Sequence, residues 1–140
     1  MKDYQQLLTQ YSSQLAKAIK HLEYSLNKVN NLPADASILN DEQLETWEGF
    51  LARFARACDI FLAKYLRTRA LIEDPGFNGT LRDLLNWGEK MGIITSAQVW
   101  LNIRELRNLQ AHEYAEDKLS TIFKSVLKES VHVLKLKELL

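Results

Sequence analysis

The chain is expected to fold as an all-α, antiparallel bundle of four to five helices. Three observations carry that expectation. Glycine and proline together supply seven of 140 residues, and so few turn-formers leave room for long, uninterrupted helices. Apolar residues recur at steps of three and four along most of the chain, the period of an amphipathic helix. No stretch alternates apolar and polar residues as a half-buried strand does.

The first helix should run from about Asp3 to Val29. Its stripe is Tyr4, Leu7, Leu8, Tyr11, Leu15, Ala18, Ile19, Leu22, Leu26 and Val29, and Asn30, Asn31 and Pro33 then stop it. A second begins at Asn40, which with Gln43 has the form of a capping box. Its stripe, Leu44, Trp47, Leu51, Phe54, Cys58, Phe61, Leu62, Tyr65 and Ile72, is widened by Phe50, Ala57 and Ile60. A face this broad fits either burial shared with a second subunit or a central position inside one bundle. Glu73 to Gly79 contains Pro-Gly and Asn-Gly and reads as loop. Thr80, with Asp83, caps a short third helix that Gly92 should end in the left-handed conformation. Gly88 offers close approach to a neighbour. The fourth helix is expected from Thr95, paired with Gln98, to about Ala111, and the fifth from about Glu116 through Leu136.

Lys and Arg total 18, as do Asp and Glu. A net charge of zero excludes strong global attraction to nucleic acid or membrane and leaves local patches open. The one cysteine, Cys58, excludes an internal disulfide framework and a cysteine-based zinc site. The start, MKDYQQLLTQ, has no signal-peptide apolar region, and no run of 18 apolar residues follows. These features lead to the expectation of one soluble, cytoplasmic domain over residues 1–140 with no membrane partner. Phosphate loops, dinucleotide fingerprints and His-Glu-x-x-His pairs are absent from the sequence. With His21, His112 and His132 scattered, neither metal nor cofactor is expected.

Chemistry concentrates in Arg104-Glu105-Leu106-Arg107-Asn108-Leu109-Gln110-Ala111-His112-Glu113-Tyr114. On an ideal helix Val99, Ile103, Leu106 and Gln110 share the inward face, while Asn108 and His112 fall roughly opposite. Arg107 and His112 lie about 140° apart, so one straight helix does not aim them at one point. Three solutions stand: a break near His112 to Tyr114, a long arginine reaching round, or a site completed by a second copy. The second helix adds Arg53, Arg56, Lys64, Arg67 and Arg69 against one acid, Asp59, a local excess able to hold a nucleic-acid backbone.

Arg107, the polar Asn108 and, after four positions, His112 resemble the signature of the HEPN superfamily. His112-Glu113-Tyr114 resembles the His-x-Tyr of its HepT toxin-like branch. Thr80-Leu81-Arg82, Val99-Trp100-Leu101 and the helix-two run Phe54 to Phe61 are similar to the nucleotidyltransferase substrate-binding-protein branch. The resemblance spans about Thr46 to Leu134. It implies a four- or five-helix bundle paired about a two-fold axis, with a composite site in the dimer cleft. It also implies metal-independent RNA cleavage and neutralisation by a partner nucleotidyltransferase acting as antitoxin. The alternative it carries is a non-catalytic companion that binds nucleotide or substrate for such an enzyme. In the catalytic reading Arg107 and His112 are the catalytic pair, while Arg104, Asn108 and Tyr114 support the phosphate. Tyr114 matches the position a partner modifies with AMP.

Overall fold

The computed structural model describes residues 3–110 and 115–140, and they build an all-helical bundle. Helix α1 (Tyr4–Val29) starts at Asp3, whose Oδ1 accepts the Gln6 amide at 3.1 Å. This satisfies one of the backbone donors that a helix start leaves orphaned. Its stripe buries Leu15, Ala18, Ile19, Leu22 and Val29 as expected. After Asn30 the chain turns through a short 3-10 segment, Ala36–Ile38, which the sequence pattern did not announce. Ala36 donates its amide to Ser120 Oγ at 2.9 Å, and Pro33 accepts the Trp47 indole N–H at 2.9 Å. The crossover is thereby tied to two helices.

Helix α2 is the centre of the molecule. It opens on the expected Asn40–Gln43 capping box. It then runs as α-helix Asp41–Asp59, as π-helix Ile60–Leu66 and again as α-helix Arg67–Glu73. In the π segment Phe61, Leu62, Tyr65 and Leu66 are all buried. Wider turns bring i+4 and i+5 neighbours onto one face, which suits this pair-wise apolar pattern. Phe50 and Ala57 are also fully buried. Most of the broad stripe is thus covered within the chain, by α1 on one side and the later helices on the other, while Ile60 stays half-buried.

Helix α3 (Leu81–Lys90) has the Thr80–Asp83 capping box. It ends in a Schellman arrangement: Gly92, at φ +75°, donates to Glu89 O and Ile93 donates to Gly88 O. Gly88 packs beside Leu66 of α2, and a Cβ there would meet Leu66 Cδ1 at 3.4 Å, the near limit of ordinary contact. Helix α4 (Ala97–Gln110) departs from expectation at its start. Ser96, not Thr95, caps it, accepting the Val99 amide at 3.2 Å, and Gln98 instead bonds Asn102. Its buried face is Ala97, Trp100 and Ile103, rotated from the expected Val99–Ile103–Leu106–Gln110 line. The indole of Trp100 pulls the helix round because it carries the largest apolar area to bury. Its ring lies 4.7 Å from that of Phe61. Helix α5 (Glu116–Leu134) follows, with a 3-10 turn Lys135–Leu139 after it. Phe123 of α5 stacks on Trp47 at 4.6 Å between ring centres, with planes 6° apart.

Side-chain pairs fix the helix directions. Arg53 meets Ser25 while Lys64 lies over Tyr11, so α1 and α2 are antiparallel. Phe61 meets Trp100 while Asp59 meets Arg107, so α2 and α4 are antiparallel as well. Among the described residues no helix is long and apolar enough to cross a membrane.

Candidate functional site

The rotation of α4 that buries Trp100 and Ile103 also turns Arg107 inward, toward the last α-helical residue before the π segment of α2. There Arg107 Nε donates to Asp59 Oδ1 and Nη2 to Oδ2, each at 2.9 Å. Two parallel charge-assisted hydrogen bonds of this kind fix both position and plane of a guanidinium. Those bonds to Asp59 raise the Arg107 pKa further above its ordinary value, against a smaller opposing effect of burial. Arg104, one turn earlier, places Nη1 4.0 Å from Asp59 Oδ1 and donates to Asn108 Oδ1 at 3.0 Å. Two cations of α4 thus gather around one carboxylate of α2, and Asn108 braces the outer one.

The Asp59–Arg107 pair stands on a ridge between two grooves, and Asp59, Ala63 and Arg107 line both. The first, about 680 Å³, has an apolar wall of Leu51, Ala55, Leu119 and Phe123, and Glu48, Arg56 and Lys64 also line it. The second, about 670 Å³, is flanked by Arg67, Arg104 and Asn108. Three guanidinium groups against one carboxylate give the second groove a positive balance, the chemistry that grips a phosphate or carboxylate. The first is sized for a small organic ligand.

Of the sequence-derived site residues, the fold brings Arg104, Arg107 and Asn108 into one cluster. His112 and Tyr114 lie outside the described residues, as does the expected break between them. The five cations of the α2 stretch do not act as one face. Arg53 donates to His21 O and Ser25 Oγ, and Arg69 to the Tyr65 hydroxyl. Only Arg56, Lys64 and Arg67 reach the grooves, because five residues spread over four turns of helix point in several directions. Sequence reading missed Asp59 as a site residue. Its signal was present, as the lone acid among those cations. The other histidines stand apart: His21 is exposed, and His132 sits 3.7 Å from Glu129 on α5. Cys58 is fully buried beside Asp59, and burial pushes its thiol pKa well above the usual range. Among the described residues no cluster of three or more His, Cys, Asp and Glu side chains is arranged to hold a metal ion.

No known protein family, curated protein or solved structure matches the chain.

Proposed function

We propose that this chain is a HEPN-like, metal-independent RNA endonuclease that acts as a two-fold dimer and is restrained by a partner nucleotidyltransferase. The observation that supports the reading most is the clamped Arg107, fixed by Asp59 between two open grooves with Arg67 and Arg104 beside it. A guanidinium held in place needs no reorganisation as charge builds on a phosphorane, which is what makes such a group effective in a transition state. In the proposed reaction the ribose 2′-OH attacks phosphorus, the O2′–P bond forms and the P–O5′ bond breaks. His112 is the group proposed to take the proton from the 2′-OH and to return one to the leaving O5′, work that suits an imidazole near neutral pH. The products are a 2′,3′-cyclic phosphate and a 5′-hydroxyl. AMP attached to Tyr114 would add anionic bulk and close the phosphate site.

A second reading has its own support. Asp59 already occupies one edge of the Arg107 fork, and the first groove has the size and apolar wall of a nucleotide pocket. That arrangement fits a non-catalytic nucleotide-binding companion of a nucleotidyltransferase. End-labelled RNA incubated with purified protein in EDTA separates the two. The proposal expects cyclic-phosphate ends from the wild type and none from His112→Ala or Arg107→Ala, with circular dichroism unchanged. Wild-type protein that cuts no RNA at high concentration, yet binds a mononucleotide, gives the companion reading the case. Sedimentation should report a dimer.

A further inference from the structure

The outer face of α1, which the proposed cleavage chemistry does not use, is built in an unusual way. Between Tyr4 and Val29 the charged residues are Lys17, Lys20, Glu23 and Lys28, with His21 among them. Lys17, Lys20, Tyr24 and Lys28 fall within about 80° of helix surface, and all four are exposed. The one carboxylate, Glu23, is turned to the C-terminal segment, where Lys137 Nζ meets it at 3.2 Å. Tyr24 is 60% exposed. It is flanked by Lys28 Nζ 5.2 Å from its ring centre and by the Arg53 guanidinium at 5.9 Å. Arg53 is not a loose surface cation, for Ser25 Oγ and His21 O hold it at 2.8 and 3.1 Å. From Arg53 the steps to Arg56 and Asp59 are three residues each, so they walk diagonally across the outside of α2. Arg56 borders the first groove, as does Lys64, which lies over the Tyr11 ring at 5.7 Å.

We infer that this α1–α2 face is a binding track for single-stranded RNA, with Tyr24 as a base-stacking platform and Lys28, Arg53 and Arg56 leading the backbone to the Arg107 groove. An exposed aromatic ring set among fixed cations is the combination that binds single strands without regard to sequence. Tyr24 is the one large exposed apolar side chain on α1 among the described residues, so the face lacks the aliphatic wedge that a membrane surface would need. The inference rests on the RNA reading given above and extends it to substrate outside the scissile bond.

Fluorescence anisotropy tests it, with a labelled 2′-O-methyl RNA of about 12 nucleotides, inside the ~4–16 nucleotide range of single-strand sites. Tyr24→Ala should weaken binding about tenfold and Tyr24→Phe should restore it. Lys20→Gln with Lys28→Gln should lower the slope of log K against log salt by about 0.7 per cation removed. Binding of a labelled mononucleotide, held in the Arg107 groove alone, should stay as in wild type. Equal binding of the 12-mer by wild type and Tyr24→Ala overturns the track, as does an equal loss on the mononucleotide. So does a loss confined to polyglutamate, which would assign the face to an acidic protein. A wild type that binds no RNA removes the nuclease reading and the track together, whereas RNA binding indifferent to Tyr24 removes the track alone.

Discussion

Replacing Asp59 by Asn tests whether the clamp on Arg107 is an energetic unit or a surface coincidence. Exposed ion pairs contribute about 0.2–1 kcal/mol, and removing one partner of a buried pair costs about 3–5 kcal/mol. Asp59 and Arg107 fall between these limits, with side chains 44% and 24% exposed. Solvent screening at Asp59 pulls the value down, while the bidentate geometry and the half-buried arginine pull it up. The expected coupling is about 1–2 kcal/mol, or roughly tenfold in the folding equilibrium. The assay is urea unfolding of wild type, Asp59→Asn, Arg107→Gln and the double variant, read as a double-mutant cycle. Asn has a single carbonyl acceptor, so it cannot reproduce both bonds. A coupling within about 0.3 kcal/mol of zero, inside the range of independent sites, would refute the clamp. It would also remove the main support for a preorganised phosphate site.

The packing and the caps set further outcomes. Gly49→Ala should stabilise the protein by about 0.5–1 kcal/mol, because it lies inside α2 and an added Cβ meets nothing within 4 Å. Gly92→Ala should instead destabilise it by about 1–2 kcal/mol, as its φ is +75° although the space around it is equally open. Urea unfolding decides both signs. Cys58 should resist iodoacetamide in the native protein at pH 8 and react on addition of denaturant, since it is fully buried with its thiol pKa raised; rapid native labelling would contradict the packing. The Thr80 amide and hydroxyl hold the Asp83 pKa below its ordinary 3.8. With the folded value the lower one, the cap contributes above about pH 4 and is lost as pH falls through the folded pKa. Asp83→Asn should flatten the acid limb of a stability–pH profile measured by thermal melts.

The helices were legible because their signals are local. Asp3, Asn40 and Thr80 cap through atoms three residues away, and the stripes of α1 and α5 need only a 3.6-residue period. The start of α4 was misread by one residue because Thr95 and Ser96 are both good caps, and the choice falls to tertiary contact. The Ala97 amide donates to Glu89 Oε1 at 2.8 Å, a partner invisible to local pattern. The facing of α4 differs from the expectation for a related reason: the Val99–Ile103–Leu106–Gln110 line leaves out Trp100, whose burial against Phe61 sets the rotation of the helix. Arg107, Arg104 and Asn108 were found as a motif. Asp59, 48 positions from Arg107, could not be paired with it before the helices were assembled.

The loosely wound stretch Ile60–Leu66 joins the hydrophobic interior to the second groove mechanically. On a uniform α-helix the eight steps from Asp59 to Arg67 would overshoot two full turns by about 80°. Slack winding absorbs that surplus, and both residues border the same opening. The Arg67 side chain itself is held by the loop before α3, donating to Gly79 O at 3.5 Å with its guanidinium 5.8 Å from the Phe77 ring centre, so that loop sets which way the charge faces.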